Sequence, residues 1–124
     1  MALVNSISQN LITSKNLKKG LRSKKIKILD CRWYLEDQKK GYFQYKKKHI
    51  PSAIFFDIDK ISNKESKLPH MFPKTHTFIE FVNKFGINKN SEIIIYDQIG
   101  FFSSSRVWLL FKYFGFKNVK ILDG

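Results

Sequence analysis

Polar and apolar positions alternate between two periods along this chain. Lys25 to Asp30 (KIKILD) alternates polar and apolar and stops at a carboxylate, which predicts a strand running into a loop. Ile93-Ile94-Ile95-Tyr96 is an apolar run of strand type ending at Asp97, Ala53-Ile54-Phe55-Phe56 is a third strand candidate, and Val119 to Leu122 is the last. Between these, Phe78, Phe81, Val82 and Phe85 recur at helical spacing, with Thr77 and Glu80 as a capping box and Gly86 as the stop. A serine-capped helix is predicted from about Ser104, burying Val107, Leu110, Phe111 and Phe114 and ending at Gly115.

The first third is patterned more weakly. Ser6 with Gln9 reads as a capping box opening a helix that runs to near Gly20, with a short strand at Leu3-Val4 before it. Tyr42 to His49 reads as one or two helical turns, after which Pro51 forces the chain extended. Residues 63–73 are rich in Lys, Ser and Pro, without periodicity, and predict an irregular surface loop.

Strands that alternate with helices and are too apolar to face water imply an α/β fold with a mostly parallel sheet covered on both faces. In such sheets ligands gather beyond the carboxyl ends of the strands, so the segments after Asp30, Phe56 and Asp97 should share one rim.

Composition narrows the picture. The 124 residues, 43% of them hydrophobic, suffice for one modest core. No apolar run reaches the length of a membrane span, and MALVNSISQN has neither a secretory nor a transit pattern, so a soluble protein is expected. Cys31 is the single cysteine, which excludes an intrachain disulfide and fits a cytoplasmic setting. The net charge of +13 raises the question of nucleic acid. Arg22, Arg32 and Arg106 are the only arginines, however, and the remaining 20 basic residues are scattered lysines, so a solvated surface is the better reading and no nucleic-acid partner is expected. Two clusters, Lys24-Lys25-Lys27 and Lys46-Lys47-Lys48, are left without a role. No set of His, Cys and carboxylates has metal-ligand spacing, and no cofactor is implied.

Five segments, ILDCRWYL, KKHIPSAIFFDIDKIS, LPHMFP, IIIYDQIGFFSSSRVWLLFKYFG and NVKILDG, keep their order and spacing across nearly the whole chain. Together they resemble the first domain of two-domain 3-mercaptopyruvate/thiosulfate sulfurtransferases of the rhodanese family. The resemblance implies a rhodanese-like amino-terminal domain over residues 1–124, incomplete at its carboxyl end, with a closing helix and a second domain to follow. It implies sulfane sulfur transfer from 3-mercaptopyruvate or thiosulfate to a thiol or cyanide through a cysteine persulfide carried by that second domain. A persulfide-forming thiolate needs a cradle of backbone amides at a helix amino end.

Three places are candidates for chemistry. The loop after Ile93–Tyr96 corresponds to the cysteine loop of the active half but holds Asp97 where the nucleophile would stand, followed by bulky Phe101 and Phe102; it is expected to be inert, with Arg106 pairing with Asp97 or capping structure. Cys31 lies just past a strand but has no glycine nearby to bring amides round its sulfur, so a structural role is expected. Asp59 and His70, matching the family's DID and HM motifs, are implied to be relay partners of the absent cysteine, the histidine handling a proton and the aspartate orienting it. By composition alone they would be a turn and a loop residue. By the same resemblance Trp33 and Phe102 form an apolar wall facing that cysteine; as plain residues they would be ordinary core aromatics. A partner-binding module without catalysis is the alternative function.

Overall fold

The computed structural model describes residues 11–21, 23, 25–34, 36–37, 39–61, 73–98 and 102–123, with the side chains of Asp59, Phe102 and Asp123 outside that description. Among the described residues, five strands and five helices follow one another as β1 (Leu11–Thr13), α1 (Ser14–Gly20), β2 (Ile26–Asp30), α2 (Lys40–Lys47), β3 (Ile54–Phe55), α3 (Ile58–Ile61), α4 (Thr75–Lys84), β4 (Glu92–Tyr96), α5 (Phe102–Tyr113) and β5 (Val119–Asp123). All described strand pairs are parallel, and the order across the sheet is β1-β5-β4-β2-β3.

Strand period places alternate residues in two cores. Leu29 and Cys31 of the β2 segment, Ile93 and Ile95 of β4 and Val119 of β5 face α4 and α5, which contribute Phe78, Val82, Val107, Leu110 and Phe111. Ile28 and Ile94 point the other way, into a smaller core closed by Leu17 of α1, with Tyr45 of α2 packed against it. The expected α/β architecture, parallel and covered on both sides, is what the chain adopts.

Several elements start or end away from their expected positions. Residues 11–13, expected inside the first helix, form β1, because Leu11 and Ile12 pair with Ile121 and Leu122 of β5 and tertiary pairing outweighs helical periodicity. Helix α1 therefore begins only at Ser14, where the Thr13 hydroxyl accepts the Asn16 N–H at 3.2 Å. The Ser6–Gln9 box and the Leu3-Val4 strand lie outside the described residues. Helix α4 starts two residues before Thr77, with Lys74 at its cap position and no side-chain capping bond, so the Thr77–Glu80 box does not form. Helix α2 starts at Lys40 rather than Tyr42 and ends two residues short of His49, and β3 keeps only the middle two of its four expected residues. Gly86 and Gly115 both take positive φ (68° and 88°) just after their helices, as helix stops should.

Candidate functional site at the carboxyl rim of the sheet

Strands β4, β2 and β3 are neighbours, and the segments leaving their carboxyl ends converge. Asp30, the last residue of β2, is fully buried. Arg32 closes a fork on it, with Nε at 3.1 and 3.0 Å from the two carboxylate oxygens and Nη2 at 2.7 Å from Oδ2. The Arg32 backbone N–H donates to Oδ1 at 3.1 Å, and the Tyr96 hydroxyl donates to Oδ2 at 2.9 Å. A buried carboxylate is tolerated only when paired and fully hydrogen-bonded, and this one is both. The same Arg32 Nη2 donates to the Lys48 carbonyl at 2.7 Å, and Tyr96 accepts the Ile50 N–H at 3.3 Å. The chain between α2 and β3 is thereby tied to the ends of β2 and β4. Burial, and next the Asp30 charge, push the Tyr96 phenol well above its ordinary range, so it stays a donor.

On the other face of the rim, Asp97 follows β4. Its Oδ2 accepts the Ser104 backbone N–H at 2.9 Å and lies 3.4 Å from the Ser103 hydroxyl. A carboxylate at the start of a helix is favoured by the free amides and the helix dipole. Ser103 donates to the Cys31 carbonyl at 2.6 Å and links the two segments. Helix α5 thus begins at Phe102, ahead of the expected Ser104 cap; Ser104 is buried inside the first turn, and Asp97 does the capping.

Cys31 itself is wholly buried, and its Sγ has the Leu29 carbonyl at 3.9 Å. Burial first, then the charges of Asp30 and Asp97, raise its thiol well above the ordinary value, the reverse of what a nucleophile needs. Trp33 is half-buried at the rim and packs against the larger core. Its main chain is clasped by Gln98, whose side-chain oxygen accepts the Trp33 N–H at 3.2 Å while its amide donates to the Trp33 carbonyl.

Of the residues singled out from the sequence, Asp59 lies on α3 directly after β3, Trp33 follows β2, and Phe102 opens α5 after β4. Three adjacent strand ends therefore carry them. His70 lies outside the described residues. Arg106 is exposed on α5. Sequence reasoning passed over the Asp30–Arg32–Tyr96 cluster and Gln98. The signal for the first was a carboxylate ending an apolar strand with an arginine two residues on, a spacing that suits a fork; nothing in the sequence singled out Gln98. Among the described residues no group of three His, Cys, Asp or Glu could hold a metal ion, and no helix is long and apolar enough to cross a membrane.

A parallel sheet wound on both faces, with these polar side chains at its carboxyl rim, defines an α/β protein whose candidate site lies at the strand ends. Comparison with known proteins makes this specific: residues 13–124 match the model of the rhodanese-like domain, and the chain belongs to that family. A thiosulfate/3-mercaptopyruvate sulfurtransferase from Arabidopsis thaliana is 40% identical over 120 residues, covering 96% of this chain and 32% of the relative. It is named as mitochondrial, so it lends nothing to the cytoplasmic setting expected from the single cysteine. Among solved structures, the sulfur transferase subunit of yeast mitochondrial complex I superposes with a TM-score of 0.84 at 43% identity, over 93% of this chain and 39% of that one. SseA of Escherichia coli, described as a 3-mercaptopyruvate sulfotransferase, gives 0.82 at 33% identity, over 90% and 44%. The chain thus spans between about a third and a half of the proteins it matches, and its homologues are sulfurtransferases.

Proposed function

We propose that this chain is the supporting, amino-terminal half of a sulfurtransferase that moves sulfane sulfur from 3-mercaptopyruvate or thiosulfate to a thiol or cyanide, the persulfide being carried by a cysteine in a second rhodanese-like domain of the same protein. The observation that carries this reading is Asp97. Its carboxylate occupies the helix amino end where the cysteine of an active half would stand, and it already uses the Ser104 amide that such a thiolate would need. A carboxylate cannot hold sulfane sulfur, and its charge opposes an anionic donor. The one thiol in the chain, Cys31, is buried and raised in pKa, which removes it as a substitute.

In this reading Asp59 and His70 complete the relay across the domain interface: the histidine takes and returns a proton, and the aspartate holds its ring in one tautomer. Trp33, fixed through its main chain by Gln98, forms with Phe102 an apolar wall that keeps water from the sulfur. In the full-length protein, His70→Gln and Asp59→Asn are expected to lower kcat by about 10²–10⁴ in steady-state transfer assays with each donor, whereas Cys31→Ser keeps activity close to the parent. Loss of transfer in Cys31→Ser, with full activity in His70→Gln, would overturn the assignment.

A further inference from the structure

Strand β3 lies at one edge of the sheet, and what lies beside it is not used by the chemistry above. Its register, Leu29 with Ile54 and Asp30 with Phe55, together with the 2.9 Å bond from the Phe56 N–H to the Asp30 carbonyl, turns the polar groups of Ile54 and Phe56 toward β2. In parallel pairing the intervening residue directs its N–H and C=O the other way, so those of Phe55 point out from the sheet. Along this edge runs a half-open groove of about 760 Å³. It is lined by Ala53, Ile54, Phe55 and Asp57, and the neighbours Ile54 and Phe55 face opposite sides of the sheet, which places it along the edge of the strand and not over one face.

The groove has aromatic walls and a basic rim. On the α2 side the rings of Tyr42 and Tyr45 stand 5.4 and 5.5 Å from that of Phe55. On the α4 side Phe81 and Phe85 pack 5.0 Å apart. Lys39, Lys60 and Lys84 line it from three different segments and, among the described lining residues, face one carboxylate, that of Asp57, whose Oδ1 accepts the Lys60 backbone N–H at 3.1 Å. Among the described lining residues, three cations and one anion leave a net charge of +2 round an apolar channel.

We propose that this groove docks an extended acidic segment of a partner protein, laid alongside β3 with its main chain on the outward groups of Phe55, alternate apolar side chains between the aromatic walls, and carboxylates on the three lysines. An added strand uses outward main-chain groups that a compact small molecule would leave idle. Charge complementarity selects the acidic sequence and gives it a fast, salt-sensitive on-rate.

The test uses the full-length protein and a fluorescein-labelled peptide alternating Glu and Val about a central Phe, read by fluorescence anisotropy and by amide hydrogen exchange. Saturable micromolar binding is expected, weakening several-fold as salt rises from about 50 to about 200 mM. Binding should weaken at least about tenfold in the Lys60→Glu/Lys84→Glu variant, whose fold is checked by its melting temperature. Exchange of the Phe55 amide should slow in the complex. Equal binding of the same peptide with Lys in place of Glu, equal binding of a single-stranded oligothymidine of matched charge, absence of Phe55 protection, or self-association of the protein that excludes the peptide would each overturn the proposal.

Discussion

Asp30 and Arg32 show how two charges can lie at the end of a strand without unravelling it. Arg32 is two residues beyond Asp30, close enough for its main-chain N–H and its guanidinium to reach the same carboxylate, and the Tyr96 hydroxyl fills a further acceptor site. Removing Arg32 leaves a fully buried carboxylate without its counter-charge, and removing Asp30 leaves a partly buried guanidinium with only the Lys48 carbonyl. Asp30→Ala is expected to cost about 3–5 kcal/mol in urea unfolding, and Asp30→Ala/Arg32→Met should recover part of that loss in a double-mutant cycle; additive losses would mean the two side chains act separately. Cys31 supplies a second test through pH. Its thiol is raised well above the ordinary 9.0 by burial, so the folded protein keeps a proton that the unfolded chain gives up. Stability from this group is intact below about pH 9 and falls as pH rises beyond it, by up to about 1.4 kcal/mol per pH unit. Urea midpoints compared at about pH 8 and about pH 10 should drop less in Cys31→Ala than in the parent; an equal drop would mean the thiol ionises freely in the folded protein.

At the scale of elements, the legible parts were those in which local pattern and tertiary environment agree. The strand at Ile93–Tyr96 and the helix carrying Phe78, Val82 and Phe85 were readable because burial on both faces of a parallel sheet demands an unbroken apolar run, and one-sided burial demands the helical period. The strand at Leu11–Thr13 was not, because its partner, β5, lies more than a hundred residues away and three residues are too few to show alternation. Helix α5 was found but misplaced at its start: the capping group is Asp97, seven residues before Ser104, and the cap reaches across residues where no local spacing rule applies. The turn between α2 and β3 makes its own prediction. Ser52 sits at φ 64°, a left-handed conformation that costs a side-chain-bearing residue energy and costs glycine none. Ser52→Gly is therefore expected to raise stability by about 0.5–1 kcal/mol in thermal or urea unfolding; a loss of stability would mean that the Ser52 side chain contributes more than its backbone strain costs.

For the whole molecule, periodicity and motif resemblance inform about different things. Periodicity gave the α/β class and the rim where chemistry gathers. The motif resemblance gave the family, and it named Asp59, His70, Trp33 and Phe102, none of which periodicity distinguishes from turn, loop or core residues. The buried Asp30 cluster and the Gln98 clasp came from neither, since both join groups 65 or 66 residues apart through contacts that only the folded sheet creates. The fold sets Trp33, Asp59 and Phe102 after neighbouring strands. Sheet order β4-β2-β3 brings three successive strand ends side by side, and the Arg32, Tyr96 and Gln98 bonds lock the intervening turns to one another. A rim built this way holds the Asp30–Arg32 pair and the Asp97 helix cap in fixed positions at neighbouring strand ends.

The most direct measurement is intact-protein mass spectrometry of this 124-residue polypeptide, folded and freed of other proteins, after incubation with thiosulfate or 3-mercaptopyruvate. An unchanged mass is expected with either donor. A stable increase of one sulfur atom, mapped to Cys31 in the folded state, would contradict it.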